Sequence, residues 1–179
     1  MTNKGKGRRA NRYTWVRADN LRRAGALGQL QQSQCTQDYP NLLRAAWGFT
    51  VETATQGIRM VLSDVFDTYP RLKIILGHLG EGLPFLLWRI NMALVRDGAG
   101  PNWFRDTFRE HFWITTSGFF SDPALLCCMM EVGIDRILFS VDYPFVDNKP
   151  GTDWLKTLPL CAEDKAKLLN GNVKRLLKM

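Results

Sequence analysis

Histidine is scarce in this chain, with only His78 and His111 among 179 residues. Any chemistry that needs an imidazole must therefore be built around one of these two. Also missing is an apolar run approaching the roughly 20 residues needed to cross a bilayer, which excludes a membrane-spanning helix. The first residues hold no apolar block followed by a small-residue cleavage site, so a secretory leader is not expected and the chain reads as cytoplasmic. Cys35, Cys127, Cys128 and Cys161 lack CxxC spacing, which points to free thiols in a reducing compartment rather than to disulfides or a zinc knuckle. Gly77, Gly80 and Gly82 lack the spacing that cradles a dinucleotide or a phosphate, so no nucleotide cofactor is inferred.

Positive charge is abundant but unevenly placed. Residues 1–38 carry eight Lys/Arg against Asp19 and Asp38, a net +6 of the chain's +7. The charge thus belongs to an arm rather than to the domain, which argues against nucleic-acid binding by the folded part. The expected organisation is a basic, mostly disordered leader over 1–38 and one domain over 39–179.

From residue 39 onward, helical and strand patterns alternate. In "TVETATQGIRMVLSDVF", Ala54, Ile58, Val61, Leu62, Val65 and Phe66 recur at spacings of three and four, which predicts an amphipathic helix with Thr50 as its N-cap. "LKIILGH" reads as a short buried strand and is followed by a helix over 83–95. "HFWITTSG" is the next strand, with His111 at its start on the edge away from any site. "SDPALLCCMMEVG" is a compact helix with Pro123 in its first turn and Gly133 ending it. "DRILFSVDYPF" gives a third strand, followed by a short helix near Trp154 and a final helix over "AEDKAKLLNGNVKRLLKM". Helices alternating with strands through short turns predict an α/β fold with about three parallel strands and flanking helices.

Polar residues gather at the carboxyl ends of these strands: His78 and Glu81, then Thr115, Thr116 and Ser117, then Asp142. In barrels and open α/β sheets alike, that edge binds ligands. Glu81 lies three residues beyond His78, close enough to hold its tautomer. Asp142 can be a metal ligand, a general acid or base, or a cap for the next turn. Arg89, two turns into its helix, either pairs with Glu81 or an acidic ligand, or is simply solvated. The functional reading requires that His78 and Asp142 emerge from adjacent parallel strands and converge.

The stretches "WGFTVETATQGIRMVLSDVFDTYPRLKIILGHLGEGLPFLLWRI", "FWITTSGFF", "DRILFSVDYPF" and "NGNVKRLL" resemble the carboxyl half of the amidohydrolase-related metal-dependent decarboxylases. That group includes the dihydroxybenzoate (resorcylate) decarboxylases and aminocarboxymuconate semialdehyde decarboxylase. The resemblance runs from about Tyr39 to the last residue. It implies the C-terminal part of a (β/α)8 TIM barrel, with a divalent metal, zinc or manganese, at the strand ends. The implied reaction is non-oxidative decarboxylation of a small aromatic carboxylic acid of hydroxybenzoate type, with metal-dependent hydrolysis a close variant. By motif match, Asp142 is the metal ligand and proton donor, His78 and Glu81 lie beside the substrate, and Arg89 is the nearby substrate-binding arginine.

The family's opening His-x-His or Glu-x-His motif is missing, residues 1–38 contain neither histidine nor glutamate, and Gln56 stands where relatives often have histidine. The chain thus looks like the last three strand units of a barrel, as a truncated or misread gene would produce, with an incomplete ligand set. Three strands leave open edges and an uncovered inner face, so a homo-oligomer is expected. The alternative to catalysis is a barrel remnant that serves as an oligomerisation or interaction module.

Overall fold

The computed structural model describes residues 13–15, 38–94 and 96–179. A four-stranded parallel sheet runs in the order β1 (Tyr13–Trp15), β2 (Lys73–Leu76), β3 (Phe112–Thr115), β4 (Ile137–Leu138). The three expected strands are present, and β1 adds a fourth within the basic stretch. The disorder expected for the rest of 1–38 falls on residues outside those described.

The helices follow in chain order: α1 (Gly48–Leu62), α2 (Val65–Thr68), α3 (Leu83–Ala93), α4 (Trp103–His111), α5 (Asp122–Val132), α6 (Asn148–Thr157), α7 (Ala162–Ala166) and α8 (Asn172–Leu177). A π-helical stretch, Lys167–Gly171, joins α7 to α8. Among the described residues no helix is long and apolar enough to cross a membrane.

Two local expectations are corrected. The long amphipathic helix breaks at Asp64, whose left-handed backbone (φ 57°) separates α1 from α2. It also starts earlier than expected, with Trp47 at the N-cap, so Thr50 lies inside its first turn and its hydroxyl is free for another partner. Helix α4 was not foreseen. Its signal is Phe104 and Phe108 one helical turn apart, both fully buried, in a segment otherwise rich in charge. His111 closes α4 rather than opening a strand. It is buried, its ring stacks on Phe66 at 4.2 Å, and Nδ1 lies 2.9 Å from the Leu72 carbonyl, a structural role at the amino edge of the sheet.

Strand alternation sends side chains to two cores. Ile74, Leu76, Phe112, Ile114 and Ile137 pack under the helices with Leu83, Leu87, Phe104, Phe108 and Leu125. Ile75, Trp113 and Leu138 point the other way, and α8 covers them with Leu176 and Val173. These three residues of the inner face, expected to be bare, are therefore buried. Arg136 and Arg175 stack on Trp113 at 5.1 and 5.8 Å.

The outer edge of β4 is also closed. Phe139 donates its N–H to the Leu168 carbonyl at 3.1 Å. The fully buried Asn172 amide donates to the carbonyls of Ile134 (2.7 Å) and Ile137 (2.8 Å). A buried acceptor left without its donor costs about 1–3 kcal/mol, so Asn172→Ala is expected to destabilise by about 2 kcal/mol, read as a lower urea midpoint at unchanged slope.

Candidate functional site

The carboxyl edge of the sheet is built from left-handed backbone. After β2, "GHLGEG" makes a tight 3-10 turn in which His78 (φ 49°), Leu79 (52°), Gly80 (75°), Glu81 (54°) and Gly82 (74°) all have positive φ. Ser117 (40°) after β3 and Asp142 (69°) after β4 do the same. Non-glycine residues avoid this region at about 1–2 kcal/mol each, and such residues cluster at functional sites. Here the turns fold the chain back over the strand ends. The apolar run before His78 is buried strand, and the glycines allow the histidine and the glutamate to turn toward each other.

His78 Nδ1 lies 2.6 Å from Glu81 Oε1. Glu81 is only 5% exposed, and its other oxygen accepts the Thr50 hydroxyl at 2.7 Å. His78 Nε2 faces Asp142 Oδ2 at 3.6 Å. The strands carrying them are not adjacent, because β3 lies between β2 and β4, so that expectation is corrected. Convergence is achieved across β3 instead. Thr116 extends the β3–β4 ladder beyond Leu138: its N–H donates to the Leu138 carbonyl at 3.1 Å, its hydroxyl donates to the Ser140 carbonyl at 2.5 Å, and that hydroxyl accepts the Ser140 N–H at 3.0 Å. Ser117 Oγ then reaches Asp142 Oδ1 at 3.4 Å.

Arg89 is not part of this group. It lies on the exposed face of α3 and makes no hydrogen bond or ion pair among the described residues. Of the alternatives left open by the sequence, its exposure matches solvation rather than pairing with Glu81, whose oxygens meet His78 and Thr50. A concavity of about 560 Å³ lined by Phe66, Arg96, Trp103, Glu110 and His111 opens elsewhere, at the amino edge of the sheet, away from these groups.

The electrostatics favour a charged imidazole. His78 is pushed above its ordinary value of 6.5, chiefly by the hydrogen bond to Glu81; burial opposes this, and the charges of Glu81 and Asp142 add to it. A group whose pKa is raised on folding stabilises fully below its unfolded value, and the gain disappears as pH climbs through the folded value. Stability should therefore fall as pH rises from below about 6.5 into the mildly alkaline range. Glu81→Gln should flatten that slope, read from melting temperature against pH.

Comparison with known proteins assigns the chain to a family. The amidohydrolase family pattern matches residues 5–179. The chain belongs to the amidohydrolase family. The match takes in most of the basic stretch as well as the expected region from Tyr39. Gamma-resorcylate decarboxylase of Rhizobium sp. is 40% identical over 154 residues, covering 83% of this chain and 47% of that protein. The crystal structure of 2,6-dihydroxybenzoate decarboxylase from Rhizobium superposes with a TM-score of 0.76 at 40% identity, covering 83% of this chain and 47% of that one. Dihydroxybenzoic acid decarboxylase from Polaromonas sp. JS666, with bound manganese and the inhibitor 2-nitroresorcinol, gives 0.74 at 39% identity, over 81% and 45%.

This amidohydrolase chain thus spans about half the length of the curated relatives it matches, and its sheet is part of a TIM barrel. The resemblance read from "GHLGE" and "SVDYPF" is borne out. The described residues do not by themselves make a metal centre. Among the described residues no three His, Cys, Asp or Glu side chains gather to hold an ion. His78 and Asp142 offer two donors where a zinc site takes about four, so the ligand set among the described residues is incomplete, as the sequence implies, and does not by itself fit a zinc or manganese centre.

Proposed function

We propose that this chain carries the proton-delivery side of a non-oxidative decarboxylase site for hydroxybenzoate-type acids. The approach of His78 Nε2 to Asp142 Oδ2 at 3.6 Å, at the ligand-binding edge of the sheet, carries the reading. The kinship with dihydroxybenzoate decarboxylases supplies the substrate class.

The chemistry requires one proton in and CO2 out. A ring carbon flanked by hydroxyl groups is electron-rich, so it accepts a proton where the carboxylate is attached. The C–C bond to the carboxylate then breaks, its electron pair returns to the ring, and CO2 leaves. Asp142, when protonated, is placed to give that proton. The His78 imidazolium beside it resupplies Asp142, and buried Glu81 keeps the ring charged and oriented. Manganese is bound in the Polaromonas structure; of the described residues here only His78 and Asp142 could contribute to holding such an ion, whose chemistry would be charge neutralisation beside the substrate.

The test is CO2 release from 2,6-dihydroxybenzoate by the full chain with and without added manganese, beside calorimetric titration of the acid. Binding with turnover supports the reading, and neither binding nor turnover overturns it.

A second reading, self-association, has its own observation. Phe85, Trp88 and Met92 form one face of α3 and are 80%, 62% and 61% exposed, with Met130 on α5 84% exposed. Spaced at i, i+3 and i+7, they make an apolar stripe of the kind that marks an interface. Sedimentation should show a homo-oligomer that Trp88→Glu dissociates. A monomer at all concentrations would rule this out.

A further inference from the structure

The hydroxyl of Thr50 lies 31 residues from the carboxylate it touches, and neither motif of the site includes it. We propose that Thr50 is a positioning residue: its hydroxyl, donating 2.7 Å to Glu81 Oε2, fixes the carboxylate so that Oε1 stays on His78 Nδ1 and the ring turns Nε2 toward Asp142. This rests on the reading of His78 and Asp142 as the reactive pair.

A glutamate carboxylate turns about a broad, roughly two-fold torsion, so one hydrogen bond leaves its plane loosely defined. Two partners on the two oxygens define it. Glu81 is 5% exposed, so water cannot freely replace a lost donor, and a buried carboxylate oxygen without one is costly.

The fold makes Thr50 the donor. It stands in the first turn of the 15-residue helix α1, where the helix dipole favours a carboxylate. That turn packs against the glycine loop, since a Cβ on Gly82 would come within 3.9 Å of Thr50 Cγ2. The result is a chain of contacts from α1 through Glu81 and His78 to Asp142. It ties the imidazole's orientation to a helix that forms no other part of the site.

A purely structural Thr50 would stabilise the loop without setting the ring's tautomer, and the two are separable because the chain has two histidines. Imidazole ¹H–¹⁵N correlation spectra of the full chain at alkaline pH, where neutral rings reveal their tautomer, are compared for wild type, Thr50→Val and Thr50→Ser. His111, at the other edge of the sheet, is the internal reference. In wild type and Thr50→Ser, His78 should show a single Nδ1–H form. Thr50→Val should lose it and give the averaged pattern of a free ring, with His111 unchanged in all three. If Thr50→Val fails to fold, Thr50→Ala against Thr50→Ser isolates the hydroxyl. An unchanged His78 pattern without the hydroxyl, or the same change in the serine variant, overturns the proposal. These spectra need neither metal nor turnover, so failure here is distinct from failure of the CO2 assay.

Discussion

Asp142→Asn is expected to lower CO2 release from 2,6-dihydroxybenzoate by about 10²–10⁴-fold relative to the unmodified chain, the usual worth of a positioned general acid. Asparagine keeps the shape of the side chain and can still accept from Ser117, which lies 3.4 Å from Oδ1, so the loop should hold and the melting temperature should move little. What it loses is the carboxyl proton and the charge facing His78 Nε2 at 3.6 Å. A loss in kcat with KM nearly unchanged would mark a group that acts on the reacting carbon rather than in binding. A rate within a factor of ten of the original would show that the proton comes from elsewhere.

The second large effect is on folding. Gly80→Ala is expected to destabilise the chain by about 2–5 kcal/mol, combining about 1–2 for left-handed backbone with about 1–3 for overpacking. Gly80 has φ 75°, and a Cβ there would sit 3.0 Å from Ile114 Cγ2 and 3.1 Å from Pro84 Cδ. Ile114 belongs to β3 and is 1% exposed, so neither neighbour can withdraw freely. Because Gly80 lies between His78 and Glu81, the same methyl should disturb the 2.6 Å contact that joins them. Urea unfolding measures the first effect and the His78 imidazole spectrum the second. A variant of unchanged stability would mean that the loop relaxes without cost.

Much of this arrangement is legible in the residues. The aliphatic runs at Ile74–Leu76 and Ile137–Leu138 announce strands, and the polar residues just beyond them announce the edge where they gather. Glu81 holds His78 as the three-residue spacing suggested. Less legible was anything fixed by tertiary packing. Helix α4 was missed because charged Arg105, Asp106, Arg109 and Glu110 mask the one-turn spacing of Phe104 and Phe108. Thr50 read as a cap because hydroxyls before apolar-periodic segments usually are caps, and nothing local reveals a partner 31 residues away. The third strand of the reading shrank to the two residues of β4 because its outer side meets the C-terminal segment rather than another strand. For Arg89 the residues leave pairing and solvation equally open, and helical geometry turns it outward.

The brevity of β4 has a consequence for how Asp142 is held. Asp142 hangs from a strand of two residues whose free side is stitched to Leu168 and Asn172. The tail of the chain therefore acts as a splint for the Asp142 loop. Clipping or fraying that tail should loosen Asp142 from His78 while both side chains stay chemically intact.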